Sequence, residues 1–170
     1  MNSLQLVSAP ATRVFSADAR GPSEALVFLL DGQEYGIALH CVQEIRSYQA
    51  PTRLAGAAAF VLGVIDLRGE VVPMLDLRLR LGLPAAEFDA FTVVIVVSLG
   101  TRRIGVVADR VNDVVELAPQ QIRAMPAMKG GADQRHLVAI ASLDERAVVL
   151  MDIESLLTDT PAETSMVLAA

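Results

Sequence analysis

Two stretches of the sequence resemble each other, and this internal repeat restricts the folds open to the chain. Residues 63–77 read GVIDLRGEVVPMLDL, and a shift of 76 places them on residues 139–153, AIASLDERAVVLMDI. A shift of 69 likewise places residues 35–45, YGIALHCVQEI, on residues 104–114, IGVVADRVNDV. Apolar positions coincide almost throughout, whereas the charges in the turns change sign or vanish. This pattern predicts a repeated shape and not a repeated active site.

Pairs of apolar segments around short turns predict four β-hairpins. Their turns are centred on Asp31-Gly32, Arg68-Gly69-Glu70, Gly100-Thr101 and Asp144-Glu145. Several strands are almost continuously apolar, so we expect them to be buried on both faces or closed into a barrel. Helices are expected to be short, at DLRLRLGL, PQQI and DIESLL, with an aspartate placed to cap the first and the last.

The chain is therefore expected to be mostly β and to form two small β-barrel subdomains of about five strands. We place them at roughly residues 25–85 and 91–157. Domains of about 60 residues bury only about 60% of their unfolded surface, so the two barrels should pack on each other. Residues 1–22 are rich in Ala, Ser, Pro and Thr, which predicts a flexible lead-in, and residues 158–170 are expected to be a tail.

Composition argues against membrane and nucleic-acid functions. Hydrophobic residues make up 53% of the chain and the mean hydropathy is +0.46, but the longest apolar run, Leu54–Ile65, is too short to cross a bilayer. The net charge is −6 and Lys129 is the one lysine, so no basic cluster for phosphate contacts is present. A single cysteine, Cys41, and a start without signal-peptide features favour a reducing, cytoplasmic compartment.

Residues with catalytic or metal-binding chemistry do not form a recognisable pattern. His40 and Cys41 are adjacent, which on a strand would point their side chains to opposite faces. No Cys-x-x-Cys, His-x-x-x-His or Glu-x-x-His spacing occurs. Asp66 and Asp76 could be proposed as an acid–base pair, but a turn residue and a helix cap explain them better. We therefore expect no enzyme activity, no metal and no cofactor.

Glu44 and Arg68 stand out among the charged residues. Glu44 follows an apolar stretch in CVQEIR, and Arg68 occupies a hairpin tip. In a small barrel the two segments could lie side by side and form a bidentate ion pair. Two interpretations stay open: an exposed pair that contributes about 0–1 kcal/mol, or a pair that fixes the backbone of a docking surface.

Several motifs, taken together and in order, resemble the CheW family of bacterial chemotaxis adaptors. The resemblance extends from about Ala25 to Leu157, and the segments that carry it are LVFLLDGQEYGIAL, VQEIR, GVIDLRGEVVPMLDLR, TVVIVV, IGVVADRVNDV, QIRAMP and VVLMDIESLL. It implies two SH3-like five-stranded barrels around a shared hydrophobic core, with no catalytic activity. One departure is Asp66, which stands where the family usually has Asn.

The family's function implies partners for this chain. They are the regulatory domain of the histidine kinase CheA, methyl-accepting chemoreceptors and other CheW copies in rings at the inner face of the membrane. Carried over by position, kinase contacts are expected at Val42, Glu44, Ile45 and Met128, with Arg68 paired to Glu44. A receptor groove between the barrels is expected near Val42, Val72, Gly105 and Val106. For Val42, core and interface roles both stay open.

Other functions are also compatible with the sequence. One is a CheW-like module of another two-component signalling complex, such as CheV, although 170 residues are too few for an added receiver domain. A small β-barrel ligand-binding protein is the alternative from a different functional class, because small barrels serve many functions.

Overall fold

The fold is built almost entirely of β-strands, as the hairpin patterns predicted. The computed structural model describes Phe15 and residues 23–85, 87–126 and 134–158. Within these residues no helix has the length and apolar character needed to cross a membrane. The strands and helices are β1 (Ser23–Leu30), β2 (Gln33–Ala38), β3 (Val42–Ser47), β4 (Val61–Leu67), β5 (Glu70–Asp76), α1 (Leu77–Arg80), β6 (Val93–Leu99), β7 (Arg102–Ala108), β8 (Arg110–Leu117), β9 (Ile122–Ala124), β10 (Leu137–Leu143), β11 (Arg146–Met151) and α2 (Ile153–Thr158).

All four predicted hairpins are present: β1–β2, β4–β5, β6–β7 and β10–β11 pair as antiparallel neighbours. The first two turn through pairs of residues in the left-handed region. Asp31 and Gly32 have φ of 52° and 77°, and Arg68 and Gly69 have φ of 53° and 88°. Two consecutive left-handed residues match the right-handed twist of the flanking strands, which explains why Asp-Gly and Arg-Gly occur there.

The strands form two sheets that exchange hairpins between the halves of the chain. The first sheet has the order β8-β1-β2-β11-β10-β9, and the second has the order β3-β6-β7-β5-β4. Hairpin β1–β2 thus joins strands of the second half, and hairpin β6–β7 joins strands of the first half. Two barrels made of residues 25–85 and 91–157 would need each hairpin to stay with its own half, so that division is corrected. We call the six-stranded unit barrel A and the five-stranded unit barrel B.

The sequence repeat coincides with this topology. Strand β5 runs parallel to β7 with Met74 opposite Gly105, and β11 runs parallel to β2 with Leu150 opposite Gly36. Shifts of 69 and 76 relate these two residue pairs, so the two barrels have equivalent strand orders. Both glycines lie at positions of close packing. A Cβ on Gly36 would lie 2.9 Å from Leu150, and one on Gly105 would lie 2.8 Å from Val94.

Three clusters of buried side chains follow from this arrangement. One fills the interior of barrel A and one fills the interior of barrel B. The third lies between the sheets and takes residues from both, including Phe28 and Ile37 from one sheet and Ile95 and Val106 from the other. The predicted shared hydrophobic core is therefore present. Strands that contribute to a barrel interior and to the shared core are apolar on both faces.

Phe15 belongs to the interior of barrel A. It is 4% exposed and packs in the cluster that contains Ala25, Val27 and Leu117. The prediction of a flexible lead-in over residues 1–22 is wrong at this position, because a buried aromatic side chain anchors the backbone that carries it. The other residues of that segment lie outside the described residues. Thr158 ends helix α2, and the remainder of the predicted tail, 159–170, also lies outside them.

Barrel B closes through backbone hydrogen bonds between the ends of its strand order. The chain that follows β3 pairs with β4, since Thr52 and Val64 exchange two N–H···O bonds of 2.9 Å. Gly63 permits this approach. Its φ is +140°, and a Cβ at this position would overlap the carbonyl of Thr52. In barrel A the equivalent position is Ala139, and it pairs with strand β9.

Aspartates cap both helices, as predicted. The Asp76 carboxylate accepts hydrogen bonds from the N–H groups of Arg78 and Leu79, and the Asp152 carboxylate accepts one from Ser155. Burial raises the pKa of Asp76, although the two backbone bonds oppose that shift.

A half-buried ion pair holds the point where the chain passes from one sheet to the other. Asp109 lies between β7 and β8, and its carboxylate accepts bonds of 2.6–3.1 Å from the Arg78 guanidinium. The same carboxylate accepts the backbone N–H of Asp31 at the β1–β2 turn. This contact joins helix α1, the exchanged hairpin and the crossing.

Replacement of Gly63 tests the closure of barrel B. Gly63→Ala should lower the free energy of unfolding by about 3 kcal/mol or more, because an unfavourable φ and overlap with Thr52 add. Gly82→Ala is the matched control, since Gly82 also has positive φ but open space around its Cβ. It should cost about 1–2 kcal/mol. Equal losses in urea denaturation would contradict the steric role of Gly63.

Candidate protein-interaction surfaces

Glu44 and Arg68 form the bidentate ion pair that the sequence suggested. The Arg68 guanidinium donates to Glu44 Oε1 at 2.8 Å and to Oε2 at 3.4 Å. Glu44 is on β3 and Arg68 is at the tip of β4–β5, so the pair connects the two end strands of the barrel B order. It thus supplements the Thr52–Val64 backbone bridge with a side-chain link.

Electrostatics keep both groups of this pair charged. The hydrogen bond from Arg68 lowers the pKa of the Glu44 carboxyl, and Glu44 raises the pKa of Arg68. A second arginine, Arg46, lies 3.9 Å from the same carboxylate. Because the pair is exposed to solvent, it contributes little to stability. Its two hydrogen bonds restrict the orientation of the Arg68 guanidinium.

Asp66 stabilises the turn that presents Arg68. Its carboxylate oxygen accepts the backbone N–H of Gly69 at 2.8 Å. The side-chain oxygen of an asparagine can accept the same bond, because both residue types cap turns in this manner. Either an aspartate or an asparagine at position 66 can therefore accept the Gly69 N–H and stabilise this turn.

Ile45 and Val42 provide apolar surface on the other face of β3. Ile45 is 43% exposed and pairs with the buried Ile95, whereas Glu44 pairs with Val96 at the barrel interior. Val42 is partly buried against the shared core. One part of the side chain therefore packs inside, and the other part stays accessible. We call Val42, Glu44, Ile45 and Arg68 the first surface.

An equivalent second surface, which sequence reasoning missed, lies on barrel A. Val114 is 50% exposed on β8, and a shift of 69 places it on Ile45. The adjacent Asp113 corresponds to Glu44 and accepts two bonds of 3.0 and 3.1 Å from Arg146. Arg146 also donates to Glu34 at 2.7 and 3.1 Å. The repeat itself carried the signal, because Ile45 and Val114 coincide in it.

The charges in the two barrels are reversed at equivalent positions. Glu70 on β5 pairs with Arg103 on β7, and Arg146 on β11 pairs with Glu34 on β2. The repeat relates Glu70 to Arg146 and Arg103 to Glu34. Both barrels therefore have an ion pair at this place, with the acidic and basic residues exchanged. The two surfaces thus carry different charge patterns at equivalent backbone positions.

The proposed receptor groove requires a correction. Val72 and Val106 are fully buried, Val72 inside barrel B and Val106 in the shared core, and Gly105 is also buried. Strands β5 and β7 are inner strands of their sheet, and the barrel B interior and the shared core enclose the side chains of Val72 and Val106. Of the four predicted groove residues, only Val42 reaches solvent. Met128 lies outside the described residues.

Residues that could support catalysis are dispersed. His40 is exposed, and Cys41 is half-buried in a 3₁₀ turn over Leu39–Cys41, not on a strand. Burial raises the pKa of the Cys41 thiol, which opposes nucleophilic chemistry. His136 is buried beside Ser155, with Nδ1 3.0 Å from the hydroxyl. In the part of the chain that the structure describes, no three His, Cys, Asp or Glu side chains come close enough to hold a metal.

Comparison with known proteins identifies the family. The family model for the CheW-like domain matches residues 24–160. The chemotaxis protein CheW of Klebsiella aerogenes is 42% identical over 79% of this chain and 81% of its own length.

The chain belongs to the CheW family.

Protein FrzA of Myxococcus xanthus, another relative, is 31% identical over 85% of this chain and 91% of its own length. Among solved structures, the scaffolding protein TtCheW of Thermoanaerobacter tengcongensis superposes with a TM-score of 0.75 at 23% identity. The superposition covers 84% of this chain and 97% of that one, and it confirms the fold of two SH3-like β subdomains. The chain is a non-catalytic chemotaxis adaptor of this family.

The Arg146 network makes a testable electrostatic prediction. Arg146 lowers the pKa of both Glu34 and Asp113, so their contribution to stability is present above the unfolded pKa values and is lost as pH falls through the folded values. Arg146→Ala should raise both pKa values in an NMR titration of the side-chain carboxyls. The pKa of Glu44 on the other barrel should not move. Unchanged titration of Glu34 and Asp113 would contradict the network.

Proposed function

We propose that this adaptor couples methyl-accepting chemoreceptors to the histidine kinase CheA in signalling arrays. Membership of the CheW family supports the proposal. The observation that carries it is the first surface, where an exposed isoleucine, Ile45, directly follows Glu44, the residue that binds Arg68, on the end strand of a barrel. An apolar centre with a charged rim is the usual composition of a protein interface.

The kinase contact is assigned to the first surface. Ile45 supplies the apolar contact, and Arg68 supplies five N–H donors in a fixed plane that can also bind a partner carboxylate. Because the Glu44 bond already orients Arg68, less side-chain entropy is lost on binding than for a free arginine. Weak contacts of this kind combine in an array through effective concentration.

The receptor contact is proposed on the exposed part of Val42 and on neighbouring surface, without Val72, Gly105 and Val106. A carrier of small ligands is a poorer account of the chain, because side chains fill both barrel interiors. A barrel that holds a ligand needs an internal cavity.

Charge reversal tests the role of the Glu44–Arg68 pair. Glu44→Arg and Arg68→Glu should each leave the melting temperature nearly unchanged and reduce affinity for CheA about tenfold or more, in calorimetry and in co-sedimentation with receptor membranes. The double variant restores the pair with exchanged charges. Recovery of affinity would mean that the pair orients the backbone, whereas continued loss would mean that the partner binds Arg68 directly.

Glu145→Arg is the control for this experiment, because it alters an exposed charge at the corresponding turn of barrel A. It should bind CheA like the original protein. Full affinity in both single variants at positions 44 and 68 would reject the assignment of the first surface.

Met128 tests the contact to the next ring member. We expect Met128→Glu to prevent array assembly and to preserve binary CheA binding, because binary binding uses the first surface on barrel B. Ile45→Glu is the complementary variant and should abolish binary binding, since it places a charge in an apolar contact. Arrays that form normally with Met128→Glu, observed by electron cryotomography, would refute the ring contact.

A further inference from the structure

Phe15 is a buried residue from outside the family domain. The family match begins at residue 24, yet Phe15 is 4% exposed and lies in the interior of barrel A. It is the one aromatic side chain among the described members of that cluster, whose other residues are aliphatic. The interior of barrel A thus contains a side chain from outside the strands of that barrel.

The repeat allows the two barrel interiors to be compared position by position. Shifts of 69 and 76 relate three buried alanines of barrel A to larger buried residues of barrel B. Their barrel B counterparts are in the interior cluster of that barrel. The three pairs are Ala25 and Val94, Ala38 and Val107, and Ala141 and Ile65.

These replacements leave space that Phe15 fills. Together they remove about seven side-chain carbons from barrel A, and a phenylalanine side chain supplies about the same number, in keeping with the close packing of protein interiors. Val27 and Val96 are identical, and Ala139 adds one side-chain carbon where barrel B has Gly63. The described interior cluster of barrel B contains no residue from the segment before β1.

We propose that the interior of barrel A is a binding site for one aromatic side chain, which Phe15 occupies within the same chain. The three alanines form the site, and the ring completes the core. Phe15, which precedes the start of the family match, is thereby part of the folded unit. Phe15 packs in one cluster with Leu117 of β8 and Ile122 of β9, so it supports the strand edge that carries Val114.

Truncation of the ring tests the site in the full-length chain. Phe15→Ala should lower the melting temperature by about 10 °C, because a large core side chain is removed and a cavity remains. Phe91→Ala is the matched control, since Phe91 is 61% exposed and only stacks on Arg110. It should change the melting temperature by no more than about 3 °C. Equal shifts in both variants would overturn the proposal.

Benzene probes the vacated site directly. An apolar cavity lined by aliphatic side chains binds small aromatic molecules. Saturating benzene should therefore raise the melting temperature of Phe15→Ala by several degrees and leave the original protein unchanged. If Phe15→Ala does not fold, Phe15→Leu serves instead, with a smaller loss of melting temperature. Phe15→Leu as stable as the original protein would count against the proposal.

NMR of the original protein gives a test that requires no variant. Nuclear Overhauser contacts are expected between the Phe15 ring and methyl groups of Ala38 and Ala141. A sample that mixes differently labelled molecules separates contacts within one chain from contacts between copies. Contacts between copies would overturn occupation in the same chain, and complete absence of ring contacts would overturn the site itself.

Discussion

The exchange of hairpins between the two halves of the chain is the constraint on which the rest of the structure depends. Each barrel borrows two strands from the other half, so neither can form its sheet alone. The side chains on the outer faces of these borrowed strands then form the shared core. Arg78 and Asp109 fix the crossing between the sheets. The two small barrels, each too small to bury a large core, therefore fold as one unit.

This arrangement decides which residues a partner can contact. Val72 packs in the interior of barrel B and Val106 packs in the shared core, which removes both from the surface. The end strands β3 and β8 keep one accessible edge each, and there the repeat leaves Ile45 and Val114 exposed. An acidic residue beside each is held by an arginine. A scaffold with two related but distinct surfaces follows from the duplicated strand order.

The two barrels differ in structure at positions where the repeated segments carry different side chains. Ion pairs at equivalent positions carry opposite polarity, Glu70–Arg103 in one barrel and Arg146–Glu34 in the other. The closure of the two barrels also differs. In barrel B, Gly63 allows the backbone bridge between Thr52 and Val64, whereas in barrel A the equivalent Ala139 pairs with the short strand β9. Barrel A compensates for its small interior residues with Phe15. Equivalent strand order is thus compatible with different packing and different surface charge.

Local signals in the sequence determined the four hairpins, the helix caps and the repeat, because turn residues and capping groups act within a few neighbours along the chain. The pairing of Glu44 with Arg68, which are distant in sequence, was expected instead from the barrel arrangement and from the family resemblance. Tertiary structure alone decided the hairpin exchange, the burial of Val72, Gly105 and Val106, and the insertion of Phe15. A strand that is apolar on both faces does not reveal which sheet it joins, and a single phenylalanine in a segment without periodicity has no face to predict. Those outcomes depend on which distant surfaces fit together, and that fit exists only in the folded chain.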